Sequence, residues 1–188
     1  MEEHEQLPHC IIPLHKPSRR ELSFFFASGI LVSIPFTLFF SQAYVLFPTI
    51  LTVVLFAPFV EELAKVFPLF YRHGETERSI VTLGILIGLG FGIAEFFLYV
   101  FFLGVSPLVR VPGVVFHAAS TAITSYGIAK KSPIPYYLIA VGLHMVNNFF
   151  AATGDPYFGV FVGFLILVTV YLLAWRYWHR ASNEKMVV

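Results

Sequence analysis

The sequence predicts an all-α fold, a polytopic membrane bundle of about six transmembrane helices. Of its 188 residues, 57% are hydrophobic and only 12% are charged, whereas a soluble domain carries about 25% charged residues. So few charged residues cannot cover the surface of a soluble domain of this length, so most of the exterior must face lipid. A spanning helix needs about 20 mostly apolar residues. Six stretches reach or approach that length: 22–41, 43–71, 79–103, 111–129, 136–152 and 157–178.

The distribution of basic residues supports this number of helices. With the N-terminus in the cytoplasm, ten of the 12 Lys and Arg residues fall on the cytoplasmic side. Only Arg110 falls outside, and Lys65 lies within a span. Such a bias is what the positive-inside rule describes. We therefore expect an integral protein of the cell membrane with both termini in the cytoplasm.

The predicted topology divides the chain into one membrane domain and two tails. The cytoplasmic tails cover residues 1–21 and 179–188, and the six-helix domain covers residues 22–178. The second stretch, 43–71, is predicted to be one tilted or kinked helix, because it is punctuated by prolines. Neighbouring helices can satisfy the carbonyls that prolines leave free.

Four of the predicted helices carry polar residues at bilayer depth. They are Glu61, Glu62 and Lys65 in the second, Glu95 in the third, His117 in the fourth, and His144, Asn147 and Asn148 in the fifth. A charge at the centre of a bilayer costs about 2.5–3.5 kcal/mol on insertion scales. These side chains are therefore expected to face one another or water.

Helical periodicity allows these polar side chains to point together into the interior of the helix bundle. At 100° per residue, Glu95 lies on one stripe with Gly84, Gly88 and Gly92, and such small residues let a neighbouring helix approach closely. His117 and His144 each lie on a face of small and polar residues. Each residue alone has a structural explanation: Glu61 and Lys65, for example, have the i,i+4 spacing of an ion pair. A set spread over four successive helices favours a functional site.

The residue types favour hydrolysis without a serine nucleophile. No G-x-S-x-G motif is present. A glutamate can activate water, while His and Asn stabilise the developing oxyanion. The alternative is a zinc site in which His117, His144 and one glutamate, with Glu95 the candidate, are ligands and another glutamate is the base. The zinc motif H-E-x-x-H is absent, so both mechanisms stay open.

Four motifs in order resemble those of PrsW-type intramembrane proteases. Residues 61–65 (EELAK) are similar to the EExxK motif, and residues 91–95 (FGIAE) to an F-x-x-x-E motif. His117 and His144 stand where the third and fourth motifs place a histidine. His144 and Asn148 also form the H-x-x-x-N pattern of the wider superfamily of CaaX-prenyl and bacteriocin-processing proteases (CPBP). Phe96 departs from the pattern, since the PrsW motif has Asn there.

The resemblance implies an intramembrane endopeptidase, of metallo or glutamic type, acting on membrane-anchored proteins. Its catalytic residues would be Glu61, Glu62, Lys65, Glu95, His117, His144 and Asn148. The implied substrate is a single-span protein such as an anti-sigma factor, and the implied cofactor is zinc if the enzyme needs one. The expected partners are this substrate and the lipid bilayer, and no nucleic acid.

Two other functions use the same residues. Buried Glu and His chains also serve proton-coupled transporters and channels, although the sequence shows no internal repeat. An inactive relative would bind membrane partners as a scaffold. Under the protease hypothesis, cleavage is expected in the outer half of the bilayer, because helix rise places His117, His144 and Asn148 nearer the external ends of their helices.

The topology can be tested with reporter fusions. Fusions after residues 75 and 132 should report the cytoplasm, and fusions after residues 106 and 155 the exterior, because positive loops stay inside. A reporter after residue 75 that reads as external would contradict the predicted number of helices.

Overall fold

The computed structural model describes residues 15–43, 48, 50–71, 75–152 and 156–187. Within them six α-helices form most of the chain, which confirms the predicted all-α class. The helices are α1 (Arg19–Ala43), α2 (Ala57–Val66), α3 (Glu77–Phe97), α4 (Pro107–Ala129), α5 (Pro133–Ala152) and α6 (Pro156–Arg180). Two short strands, β1 (Glu75–Thr76) and β2 (Met186–Val187), pair antiparallel. Residues 1–14 of the predicted N-terminal tail lie outside the described residues.

Large apolar side chains cover the outside of the bundle. Leu31, Phe59, Leu138 and Phe161 are exposed on four different helices, as expected where the neighbour is lipid. In the described part of the chain, two helical stretches are long and apolar enough to cross a membrane, Glu77–Phe102 and Gly159–Arg180. Six membrane spans therefore remain a prediction.

Both ends of the described chain lie at the same end of the bundle. Oε2 of Glu77, at the start of α3, accepts hydrogen bonds from Nζ of Lys130 at 2.6 Å and from the Ser182 amide at 2.9 Å. His15 forms a bridge with Glu75 at the same end. These residues come from both predicted tails and both predicted cytoplasmic loops, so the helices alternate in direction as the topology requires. The assignment of this end to the cytoplasm remains a prediction.

The predicted second helix is continuous over its described part but changes geometry twice. Residues Leu51–Phe56 form a π-helical segment, α2 follows, and Phe67–Tyr71 form a 3-10 segment. The amide of Ala57 donates to the carbonyl of Thr52, five residues earlier, as in a π-helix. Pro58 follows directly and has no amide hydrogen to continue the pattern.

A side chain of α5 satisfies the carbonyl that this proline leaves without a donor. In the i→i−5 pattern the partner of residue 58 is the carbonyl of Val53, and Nδ2 of Asn148 donates to that oxygen at 3.0 Å. The hydroxyl of Tyr137, also on α5, donates to the carbonyl of Phe59 at 2.7 Å. Helix α5 therefore makes polar contacts to the backbone of the second helix in its π-helical segment and in the first turn of α2.

The predicted glycine stripe forms a close seam between α3 and α4. A Cβ atom at Gly88 would overlap the carbonyl oxygen of His117, and one at Gly92 would lie 2.8 Å from Cα of Val114. Real Cβ atoms do not approach this closely. The absence of side chains at these two positions therefore fixes the distance between the helices that carry Glu95 and His117.

Another pair of glycines brings α1 onto α3. A Cβ atom at Gly29 would overlap the carbonyl oxygen of Ile87, and one at Gly90 that of Phe26. Close contact between small residues is the usual way in which membrane helices associate, since lipid supplies no hydrophobic force between them. Helix α3 is consequently held between α1 and α4 at the centre of the bundle.

Truncation of Asn148 should destabilise the protein, because the Val53 carbonyl loses its hydrogen-bond donor. Asn148→Ala is expected to lower the free energy of unfolding by about 1 kcal/mol, typical of an interhelical hydrogen bond in a membrane protein. The loss should be smaller in a Pro58→Ala background, because that variant regains an amide hydrogen for Val53. Unfolding in detergent measures both effects.

The matched control is Asn147→Ala, whose Nδ2 contacts only the Asn148 side chain among the described residues, at 3.4 Å. It should lose less stability than Asn148→Ala. Equal losses for Asn148→Ala with and without Pro58 would contradict the role assigned to this bond.

Candidate active site

Six of the seven predicted catalytic residues meet in one buried cluster. It contains Glu61, Glu62 and Lys65 of α2, Glu95 of α3, His117 of α4 and His144 of α5, and we call it the polar cluster. Each of the six side chains is at most 7% exposed. Four helices thus bring together charged and imidazole groups that each would be unfavourable in lipid.

Glu62 is the most highly connected member of the polar cluster. Its Oε1 accepts hydrogen bonds from Nζ of Lys65 at 2.5 Å, Nδ1 of His144 at 2.9 Å and the Ser120 hydroxyl at 3.2 Å. These donors come from α2, α5 and α4. Its second oxygen, Oε2, is buried and has no hydrogen-bond partner within the described residues. Glu62 therefore offers one fully occupied oxygen and one free acceptor.

Lys65 pairs with Glu62 at i,i+3 and not with Glu61 at i,i+4, although the sequence spacing allows both. Its Nζ also lies 3.0 Å from Nδ1 of His117 and 4.9 Å from the centre of the Phe91 ring. An ammonium group can only donate, so Nδ1 of His117 is the acceptor. In a neutral imidazole the proton is then on Nε2.

The other nitrogen of His117 faces α3. Nε2 lies 2.7 Å from Oε2 of Glu95, and Nη2 of Arg110 lies 2.9 Å from the same oxygen. The topology had placed Arg110 in an external loop and outside the site. In the structure α4 begins at Pro107, so Arg110 belongs to its first turn. Its spacing of seven residues from His117 was the signal that could have revealed it, because residues two turns apart share a helix face.

Glu61 and His144 face each other without a hydrogen bond. Oε2 of Glu61 lies 3.9 Å from Nε2 of His144, too far for hydrogen bonding. One ligand atom each from Glu61, His117 and His144 lie within 4.8 Å of one another. Zinc bonds of about 2.0–2.1 Å at tetrahedral angles separate ligand atoms by about 3.4 Å. These three side chains fit a divalent metal as a His₂Glu set with an open position, after a contraction of up to about 1.4 Å and with Nδ1 of His117 exchanging its contact with Lys65 for the metal.

The structure thus groups Glu61 with the two histidines, while Glu95 lies behind His117. A carboxylate that accepts from a metal-binding imidazole is the usual second partner at such sites, and both His117 and His144 have one. The polar cluster and Arg110 together hold three carboxylates and two permanent cations. With neutral histidines and all three carboxylates ionised, one negative charge would be in excess, and a bound cation would neutralise it.

Asn148, the seventh predicted residue, lies outside the polar cluster. It is one helical turn from His144 on α5, but its Nδ2 donates to the Val53 carbonyl. Asn147, which lies beside it, donates to Oδ1 of Asn148 at 3.4 Å. The amide donor of Asn148 is thus directed at the π-helical segment before α2, that of Asn147 at Asn148, and neither at the carboxylates.

The comparisons with known proteins identify a family. A model of the PrsW family of intramembrane metalloproteases matches residues 17–175, which is most of the chain. The match includes all six helices up to Trp175 and every member of the polar cluster. Neither the curated proteins nor the solved structures contain a significant match.

Removal of the Lys65 charge should destabilise the protein more than removal of the whole ion pair. Lys65→Met leaves the fully buried Glu62 without this cation, and breaking a buried pair costs about 3–5 kcal/mol. The double variant Glu62→Gln/Lys65→Met should recover most of that loss. Thermal unfolding in detergent is the measurement.

Lys131→Met is the matched control, since Lys131 is exposed between α4 and α5. It should leave the unfolding temperature nearly unchanged. A double variant that is less stable than Lys65→Met would show that the ion pair does not hold the polar cluster together.

Proposed function

The chain belongs to the PrsW family of intramembrane metalloproteases, and on that premise we propose that the polar cluster is its active site and hydrolyses peptide bonds of membrane-anchored proteins. The observation that carries this proposal is the meeting of two adjacent glutamates of α2 with His117 and His144 in the interior of an apolar bundle. These groups can bind, deprotonate and direct a water molecule where lipid provides none. A single-span membrane protein is the substrate class that could reach such a site laterally.

Glu61, His117 and His144 are the residues that would hold a metal ion. Such an ion, zinc by the chemistry of the ligands, would polarise the scissile carbonyl and make water more acidic. Support for this set comes from the 3.9 Å gap between Oε2 of Glu61 and Nε2 of His144, which is too long for a hydrogen bond.

Glu62 is the base in this proposal. Its Oε1 orients His144 through Nδ1, and its Oε2 is free to accept a proton from water. The oxygen of that water adds to the carbonyl carbon of the substrate while the proton moves to Oε2. The same proton then passes to the leaving nitrogen as the carbon–nitrogen bond breaks. Lys65 keeps the base in place by its bond to Oε1.

The remaining predicted residues, Glu95 and Asn148, position the reacting groups. Glu95 holds His117 through Nε2. Asn148 fixes the backbone of the second helix just before α2, and so the direction in which Glu61 and Glu62 point. Its predicted role in binding the oxyanion would need Nδ2 to leave Val53, so positioning is the role that the contacts support.

Water and substrate are proposed to meet in the outer half of the membrane. His117 is ten residues from the start of α4, about 15 Å, and His144 is eight residues from the end of α5, about 12 Å. Both distances are measured from the ends that the topology places outside. Arg110, which is 24% exposed, extends the polar cluster towards that end, so this side offers the shorter path for water.

Cleavage of a single-span substrate by the purified protein tests the proposal. Glu61→Gln, Glu62→Gln, His117→Ala and His144→Ala should each lower the rate by at least about 100-fold, since each removes a ligand or the base. Mass spectrometry of the products should place the cut in the outer half of the substrate helix. A chelator should stop cleavage, and added zinc should restore it.

Glu184→Gln and His179→Ala are matched controls, because both side chains are exposed beyond the polar cluster, and they should retain full activity. Retained cleavage in both Glu61→Gln and Glu62→Gln would end the hypothesis. Activity that survives the chelator but not Glu62→Gln would support the glutamate mechanism without metal. A cut in the cytoplasmic third would contradict the proposed depth.

A further inference from the structure

Arg110 reaches into the polar cluster, and none of the steps proposed above gives it a role. Its guanidinium carbon lies 3.8 Å from the centre of the Tyr99 ring, while its Nη2 binds Oε2 of Glu95. The same Oε2 accepts from Nε2 of His117. One carboxylate oxygen therefore joins a guanidinium and an imidazole that both belong to α4.

The helical spacing makes this a defined arrangement. Arg110 and His117 are seven residues apart on α4, and Glu95 and Tyr99 are four residues apart at the end of α3 and in the π-helical segment Leu98–Phe102. Residues at these spacings lie on the same face of a helix. Two side chains of one helix thus face two of the other, and the guanidinium is held between a carboxylate and an aromatic ring.

We propose that Arg110 is a positioning residue that keeps Oε2 of Glu95 on Nε2 of His117, and so keeps Nδ1 of His117 turned towards α2. Nδ1 is the nitrogen that lies 3.0 Å from Nζ of Lys65, which also donates to Glu62. A carboxylate at one nitrogen of an imidazole fixes both the tautomer and the orientation of the ring. Arg110 limits the movement of that carboxylate. The inference rests on the proposed function, because it concerns the same site.

The position of Arg110 near the outer end of the site also suggests direct contact with substrate, and kinetics separate the two roles. A positioning residue alters the reacting groups in the bound complex, so its loss lowers kcat. A residue that only binds substrate raises KM and leaves kcat unchanged. The contact with Glu95 is an ion pair of one guanidinium nitrogen with one carboxylate oxygen, so a lysine can replace part of it.

The experiment combines kinetics with a spectrum of His117. Arg110→Gln should lower kcat by about 10–100-fold, the usual effect of losing such a supporting partner, with KM within about twofold of wild type. Arg110→Lys should recover part of kcat. The neighbouring Leu108→Ala, at an 84% exposed position, should match wild type. In full-length protein labelled with 15N-histidine, His117 should show the Nε2–H tautomer and lose that single form in Arg110→Gln.

Two results would overturn the inference: a rise in KM at unchanged kcat, or a 15N signal of His117 that is the same in Arg110→Gln and wild type. The His117 signal is identified by its loss in His117→Gln. If wild-type protein cleaves no substrate, the proposed function fails. The spectrum then still decides whether Arg110 positions His117.

Discussion

Charge buried in an apolar bundle must be neutralised within the bundle, and in this protein Glu62 is where that happens. Donors from α2, α4 and α5 meet on one of its oxygens. If any of these helices moved, a buried carboxylate would lose a partner, which typically costs about 1–3 kcal/mol or more for charged groups. The arrangement of three helices is thereby tied to the geometry of one side chain. The second oxygen of Glu62, which takes no part in this, has no partner within the described residues and is the atom proposed to act as the base.

The contact between α3 and α4 differs in kind from the contacts that hold the second helix. Between α3 and α4 the helices touch through glycines, and the distance between backbones is set by sterics. The second helix is held by hydrogen bonds to its carbonyls, from Asn148 in the π-helical segment and from Tyr137 in the first turn of α2. The imidazole of His117 thus belongs to a rigid pair, whereas the glutamates stand on a helix whose position depends on polar partners. Hydrogen bonds are the contacts that can be exchanged when a substrate arrives.

The sequence alone predicted the all-α class and which helices carry the polar cluster, because the free energy of burying charge leaves few alternatives. The close helix contact along the glycine stripe could also be predicted, since small residues at helical spacing in a membrane protein usually mark such contacts. Three features could not be predicted. The sequence spacing allows Lys65 to form an ion pair with either Glu61 or Glu62, and only the structure shows that the partner is Glu62. Arg110 required the start of α4, which lies several residues before the apolar stretch. The partner of Asn148 required knowledge of the π-helical pattern that leaves Val53 without a donor.

The seam behind His117 also constrains how this sequence can change over generations. Gly88 lies against the carbonyl of His117, the residue whose imidazole lies between Glu95 and Lys65. A larger residue at position 88 would displace that backbone and thus move a reacting group from behind, without meeting any substrate. A lineage that keeps the histidine must therefore keep the space behind it as well. We therefore expect substitutions at these two positions to depend on each other, although the positions lie on different helices and only one of them carries a polar side chain.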